Sequence, residues 1–300
     1  MRRNATQVKR WTTIFLTAAC MLGATLMAYA KDPTGPALEA GAAQEMDGPA
    51  APEEESQAEE PQESQEAQDG AVSDGQETPP QPEESRTDGL VLSGGRYLDP
   101  NAPMVALTFD DGPYAPVGNR IMDSMEQYDG RCTFFVVGDR VASYQAEILR
   151  MYQNGHEIGN HTYNHKYLDK LSAEQVRNQV ELCRQAVASV TGEAPALVRL
   201  PGGRKNGTVL ANIPYPIIMW NLDTRDWKTR NASSSIQSVL GGVKDGDIIL
   251  MHELYNASGD AAVALIPALK ERGFQLVTVS ELARFRGGLQ NGAVYYSFGR

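Results

Sequence analysis

Between residues 95 and 300, five short and almost wholly apolar runs, at 104–109, 133–137, 217–221, 247–251 and 275–278, alternate with longer stretches whose apolar residues recur at helical spacing. A strand that is apolar on both faces must be covered on both faces, and parallel strands joined by helices provide that cover. The pattern therefore predicts an α/β fold of βα units around a parallel sheet. The clearest helix lies between the second and third runs. Ser172-Ala173-Glu174-Gln175 has the form of a capping box, Val176, Val180, Cys183, Val187 and Val190 follow at steps of four, three, four and three, and Gly192 closes it.

The first ninety residues cannot join that core. From Asp32 to Asp88 the chain carries 17 acidic residues against the single Arg86, and it is nearly free of aromatic residues. Such a segment buries too little apolar surface to offset its ordering entropy and is expected to be a disordered acidic linker, 31–92, spanning about 40 Å as a flexible chain. It also accounts for the acidity of the chain. Of the net charge of -11, the remaining domain contributes nothing, with 21 acids and 21 bases in 89–300. A neutral domain has no electrostatic footprint for nucleic acid, so no nucleic-acid partner is expected.

Ahead of the linker, Arg2, Arg3, Lys9 and Arg10 precede a mostly apolar stretch from Trp11 to Ala30 that ends in Ala28-Tyr29-Ala30. This reads as an export segment, 1–30, either a cleaved signal peptide or a membrane anchor through residues 11–30. Cys20 is the only residue there that could accept a lipid, and Thr17 stands where a branched apolar residue is usual. The folded domain is expected over 93–287 and a tail over 288–300. Cys132 and Cys183 fall on an apolar run and a helical stripe, so they read as buried small hydrophobes, with a disulfide between them as the alternative.

The residues that carry chemistry begin at the end of the first apolar run. Phe109-Asp110-Asp111-Gly112-Pro113 places two carboxylates at the C-terminal end of a strand, where parallel α/β folds place their sites. About fifty residues on, His161-Thr162-Tyr163-Asn164-His165 carries two imidazoles four residues apart, a spacing that puts both on one face of a helical turn. One carboxylate and two neutral imidazoles make a ligand set for a divalent ion, and the second carboxylate is then free for proton transfer. His156-Glu157 falls one residue out of register for the H-E-x-x-H zinc motif and reads as structural. Taken singly, the aspartates also suit a plain turn and the histidines a helix cap.

In order along the chain, Thr108-Phe109-Asp110-Asp111-Gly112-Pro113, His161-Thr162-Tyr163-Asn164-His165, Arg199-Leu200-Pro201-Gly202-Gly203, Asp223-Thr224-Arg225-Asp226-Trp227 and Leu250-Met251-His252 resemble the five motifs of the polysaccharide deacetylases, the fourth family of carbohydrate esterases. Each motif alone is weak; five in order are specific. The resemblance covers residues 100 to about 285. It implies a distorted (β/α) barrel with fewer than eight complete units, and metal-dependent removal of acetyl groups from N-acetylated sugars.

Carried over residue by residue, the resemblance implies that Asp111, His161 and His165 hold one divalent ion, zinc first, with cobalt, nickel or manganese as alternatives. Asp110 takes the proton of the attacking water and is fixed by Arg199. His252, oriented and kept protonated by Asp226, protonates the leaving amine. The backbone N–H of Gly202 stabilises the oxyanion, and Trp227 and Leu250 wall the acetyl pocket. One departure stands out: Gly202 occupies a position where the family often has an aromatic residue, so one wall of the substrate groove is expected to be missing. Export and the linker point to a bacterial cell-surface, wall or membrane-associated enzyme whose partner is an N-acetylated polysaccharide, with peptidoglycan N-acetylglucosamine as substrate. Chitin oligomers, an exopolysaccharide or N-acetylmuramic acid are the alternatives. A catalytically silent carbohydrate-binding protein on the same barrel is the alternative of a different class, and the intact Asp110 and His252 argue against it.

Overall fold

A computed structural model describes residues 89–299. The export segment 1–30, Cys20 and nearly all of the acidic linker lie outside the described residues. The described chain opens with a hairpin of β1 (Val91–Ser93) and β2 (Arg96–Leu98), followed by β3 (Met104–Asp110), α1 (Ala115–Gln127), β4 (Thr133–Val136), α2 (Gln145–Gln153), β5 (Glu157–Asn160) and α3 (Ala173–Thr191). Then come α4 (Gly207–Ala211), β6 (Ile217–Ile218), β7 (Leu222–Asp223), α5 (Asp226–Thr229), α6 (Ala232–Leu240), β8 (Ile248–His252), α7 (Asn256–Glu271), β9 (Gln275–Leu276), α8 (Val279–Phe285) and β10 (Val294–Tyr295).

Parallel pairing runs β5-β4-β3-β8-β7, and β9 lies along the start of β3. Beyond β5, parallel bridges Asn160–Val198 and Val198–Ile217 carry the pairing on to β6. Residues 217–223 then lead from β6 into β7, so the pairing returns to β8, where β7 is paired. The sheet thus closes on itself as a distorted barrel with fewer than eight units. The apolar run expected at 217–221 forms a strand only at its start, where Ile217 and Ile218 pair with β10; β7, at Leu222 and Asp223 just beyond the run, pairs with β8.

Strand alternation sorts the side chains. Val105, Leu107 and Phe109 of β3 pack outward on Val117, Ile121 and Met125 of α1 and on Leu265 of α7. Met104 and Ala106 join the second cluster, with Phe135. Thr108 and Asp110 continue that inward-facing row towards the C-terminal mouth. The helix read from the sequence is observed as α3, with Ser172 and Gln175 forming the capping box and Gly192 at φ 77. Both cysteines are buried and free.

Two expected boundaries shift. Residues 91 and 92 belong to the opening hairpin rather than the linker, and Arg96 of that hairpin pairs with Glu281 at 2.8 Å. Residues 288–299 are part of the packed unit rather than a tail. Their β10 pairs in parallel with β6, and Phe298 is buried, its N–H donating to Gly246 O at 2.7 Å. Tyr295 and Phe298 stack on each other at 5.1 Å and pack with the cluster around Ile218, and Val294 packs with the cluster around Ile217. No helix among the described residues is long and apolar enough to cross a membrane.

Candidate active site

At the C-terminal mouth, β3 and β8 set Asp110 directly opposite His252 in register. The next residue, Asp111, would face away if the strand continued. Its left-handed backbone, φ 71, turns it back, so both carboxylates reach one cavity. The two histidines arrive differently from expectation. No helical turn carries them: β5 ends at Asn160, and 161–165 is a loop in which Thr162 (φ 70) and His165 (φ 56) are left-handed. The loop is tied down by Asn160, whose Nδ2 donates to Val180 O at 2.7 Å and whose Oδ1 accepts from Thr162 N–H at 2.8 Å. A spacing of four suits a helix and also a loop that doubles back, and here the loop brings the imidazole centroids to 5.0 Å.

Asp111 Oδ1 lies 3.4 Å from His161 Nε2 and 3.1 Å from His165 Nε2. It is buried and accepts no hydrogen bond of good geometry. An orphaned carboxylate oxygen beside two imidazole nitrogens fits a cation, and the O, N, N donor set suits a divalent metal. His161 Nδ1 lies 3.0 Å from Arg199 O, so the proton assigned to Nδ1 leaves the Nε2 lone pair facing Asp111. Burial works to raise the Asp111 carboxyl, but the two imidazoles beside it hold it well below the usual carboxylate range.

Two charge pairs flank this cluster. Arg199 is fully buried inside the barrel, stacked 4.0 Å from the Phe135 ring. Its Nη1 donates to Asp110 Oδ1 at 2.8 Å and to Thr108 Oγ1 at 2.6 Å, while Nε and Nη2 donate to Ile218 O and Met219 O. All three guanidinium nitrogens are therefore occupied, and the carboxylate they hold has a fixed orientation. On the other side, Asp226 Oδ1 lies 2.8 Å from His252 Nδ1, and Oδ2 accepts from His252 N–H and Ser258 Oγ–H at 2.7 and 2.5 Å. Burial works to lower the His252 pKa, but the hydrogen bond and charge of Asp226 prevail and raise it.

These groups surround a cavity of about 480 Å3. Asp110, Asp111, His161, His165, Gly202, Trp227, Leu250 and His252 line it, and Arg199 and Asp226 stand behind. Tyr167, Trp220 and Tyr255 also line it and were missed from the sequence, and Asp223, present there only as the first residue of its motif, lines it too. Each lies within three residues of a motif or a strand end, but spacing alone gives no reason to aim it at the cavity. Tyr167 bears on the departure at Gly202, because a side chain there would meet its ring at 3.0 Å. An aromatic wall stands against the glycine after all, supplied by the histidine loop.

A profile of the family described as polysaccharide deacetylase matches residues 98–214. The peptidoglycan-N-acetylmuramic acid deacetylase PdaC of Bacillus subtilis is 40% identical over 193 residues, which cover 64% of this chain and 41% of PdaC. A peptidoglycan-N-acetylglucosamine deacetylase of Bacillus cereus is 35% identical over 194 residues, covering 62% of this chain and 91% of the relative. The solved structure of PdaC superposes with a TM-score of 0.62 at 39% identity, covering 63% of this chain and 93% of that one. This chain spans about two fifths of the full length of PdaC. The match to the family profile and the relatives agree: this chain belongs to the polysaccharide deacetylases, carbohydrate esterase family 4.

Proposed function

We propose that this chain hydrolyses the acetamide of N-acetylglucosamine units in an extracellular polysaccharide, peptidoglycan first, and releases acetate. The observation that carries the reading is the orphaned Asp111 Oδ1 between two imidazole nitrogens, with a carboxylate held by an arginine on one side and an imidazole held by a carboxylate on the other.

In this reading Asp111, His161 and His165 hold a divalent ion, zinc first. Such an ion supplies Lewis acidity, polarising the acetyl carbonyl and making water a stronger acid. Asp110, immobilised by Arg199, takes the proton of the attacking water as its oxygen adds to the carbonyl carbon. The backbone N–H of Gly202 steadies the oxyanion, and Leu250 and Trp227 wall the acetyl methyl. The carbon–nitrogen bond then breaks. An amide anion is too poor a leaving group to depart unprotonated, so His252 gives the nitrogen its proton while Asp226 holds Nδ1. Residues 1–30 serve export or anchoring, and the acidic segment tethers the barrel at the cell surface.

The test uses the full chain with zinc or cobalt on peptidoglycan, chitin oligomers and an acetylated exopolysaccharide, measuring acetate and identifying which sugar gains a free amine. Acetate from peptidoglycan that chelation abolishes is the expected result. A free amine on the muramic sugar would move the substrate to the unit acted on by PdaC, as that relative's name states. No acetate from any glycan would sink the reading in favour of a silent carbohydrate binder.

A further inference from the structure

Glu253, the residue after His252, is fully buried, and nothing in the proposed chemistry uses it. Its two hydrogen bonds converge on the turn that follows β3. The Glu253 N–H donates to Asp110 O at 2.9 Å, and its Oε1 accepts from the Tyr114 N–H at 2.8 Å. One residue thus ties both ends of the segment from Asp110 to Tyr114. Its carboxyl also fills the space beneath the segment. A side chain at Gly112 would lie 1.8 Å from Oε2, and one at Gly118 would lie 2.2 Å from Oε1, so two glycines make room for this one acid.

What the clamp holds is Asp111, at φ 71. A non-glycine residue in that region costs on the order of 1–3 kcal/mol and persists only where its surroundings over-determine it. Released from the strain, the backbone would carry Asp111 Oδ1 away from the two imidazoles. We propose that Glu253 is a positioning residue, whose buried carboxyl locks the Asp110–Tyr114 turn in the one conformation that presents Asp111 to His161 and His165. The inference rests on the reading of those three residues as cation ligands. Burial pushes the Glu253 carboxyl up to about 8, so glutamine, uncharged and of equal size, is a close copy of it. Leucine fills the same space but cannot accept from the Tyr114 N–H.

The experiment is a cobalt titration of the full chain, followed by the cobalt absorption band and by competition with a chelator, with thermal melting of the metal-free proteins alongside. Glu253→Gln should bind cobalt within about threefold of the wild type, and Glu253→Leu should lose at least about tenfold, the scale on which residues behind metal ligands act. Glu253→Ala has the same expected loss and stands in if the leucine variant does not fold. Asp111→Ala is the control that separates the two claims. If Asp111→Ala loses cobalt while Glu253→Leu and Glu253→Ala bind it like the wild type, the positioning role is overturned and the ligand reading survives. If Asp111→Ala binds at full affinity, the ligand reading falls and the positioning role falls with it.

Discussion

Two histidines five residues apart stand at opposite ends of one short strand and meet opposite fates. His156 sits below the start of β5 at the floor of the barrel, and His161 sits above its end at the mouth; both are almost wholly buried, at 6% and 2% exposure. At the floor, His156 Nδ1 accepts from the Cys132 N–H at 3.3 Å, no carboxylate touches it, and burial, helped by nearby arginines, pushes its pKa down to about 3. At the mouth burial acts on His161 in the same sense, yet the charge of Asp110 and the contact with Asp111 outweigh it, and its pKa rises. Burial alone therefore says nothing about role. The floor imidazole is satisfied by backbone, whereas the mouth imidazole is held by backbone on one nitrogen so that the other can face an orphaned acid. A floor cavity of about 320 Å3 borders His156 and Glu157, but it gathers no comparable ligand set.

The contrast makes the largest prediction at the mouth. Asp110→Asn should cut kcat/KM of the folded protein on acetylated glycan by about 10²–10⁴, beyond whatever stability goes with the charge partner of the buried Arg199. At the floor, stability rather than turnover should carry the effect. His156→Ala opens a cavity and strands the Cys132 N–H, so about 2–4 kcal/mol of stability should go, with kcat/KM of the folded protein within about twofold of the wild type. Denaturant unfolding beside steady-state kinetics reads both. If His156→Ala silenced the enzyme without destabilising it, the distinction between floor and mouth would collapse.

A third effect follows from the sign of the floor shift. Folded His156 binds a proton only near pH 3, whereas an unfolded histidine binds it near 6.5. Below 6.5 the unfolded state therefore holds more protons, and stability should fall as pH drops from 6.5 towards 3, by up to about 1.4 kcal/mol per pH unit. His156→Gln should unfold with a flatter acid limb over that window. An equal slope in both proteins would show that other groups set the acid limit.

The sequence displays the floor and the walls better than the mouth. β3, β4, β8 and the capping box of α3 were legible because their signals are local: apolar runs, a Ser-x-x-Gln box and a closing glycine. β5 was not, since Glu157-Ile158-Gly159-Asn160 is short, half polar and contains a glycine. That glycine is explained only in three dimensions, where a side chain at Gly159 would strike the Phe135 ring at 2.3 Å. The same holds for the conformation of the turn after β3 and of the histidine loop. Asp111, Thr162 and His165 are half of the six non-glycine residues with positive φ among those described, and nothing in their side chains announces it. The ties around these positions include long-range ones, Asn160 to Val180 O and Glu253 to the Tyr114 N–H, which no short window of sequence spans. The five motifs made the site residues legible as a set; the cavity wall from Tyr167 and Trp220 became visible only once the barrel closed.

The smallest effect at optimum, and the sharpest test of the mouth, concerns the pair behind the cavity. His252 sits where burial lowers an imidazole pKa, as it does for His156, and the hydrogen bond and charge of Asp226, with smaller help from the charges of Asp110 and Asp111, reverse the direction. Asp226→Asn keeps an acceptor oxygen for Nδ1 and removes the charge. His252 should then behave more like the floor histidine and lose its proton at a lower pH. Because the leaving amine needs that proton, the alkaline limb of kcat/KM should move to lower pH, while the rate on the acid side of the profile, where His252 is protonated in both proteins, stays within a few fold of the wild type. A pH series of acetate release on one glycan decides it. An alkaline limb that does not move, or one that shifts upward, would show that His252 owes its protonation to something other than Asp226.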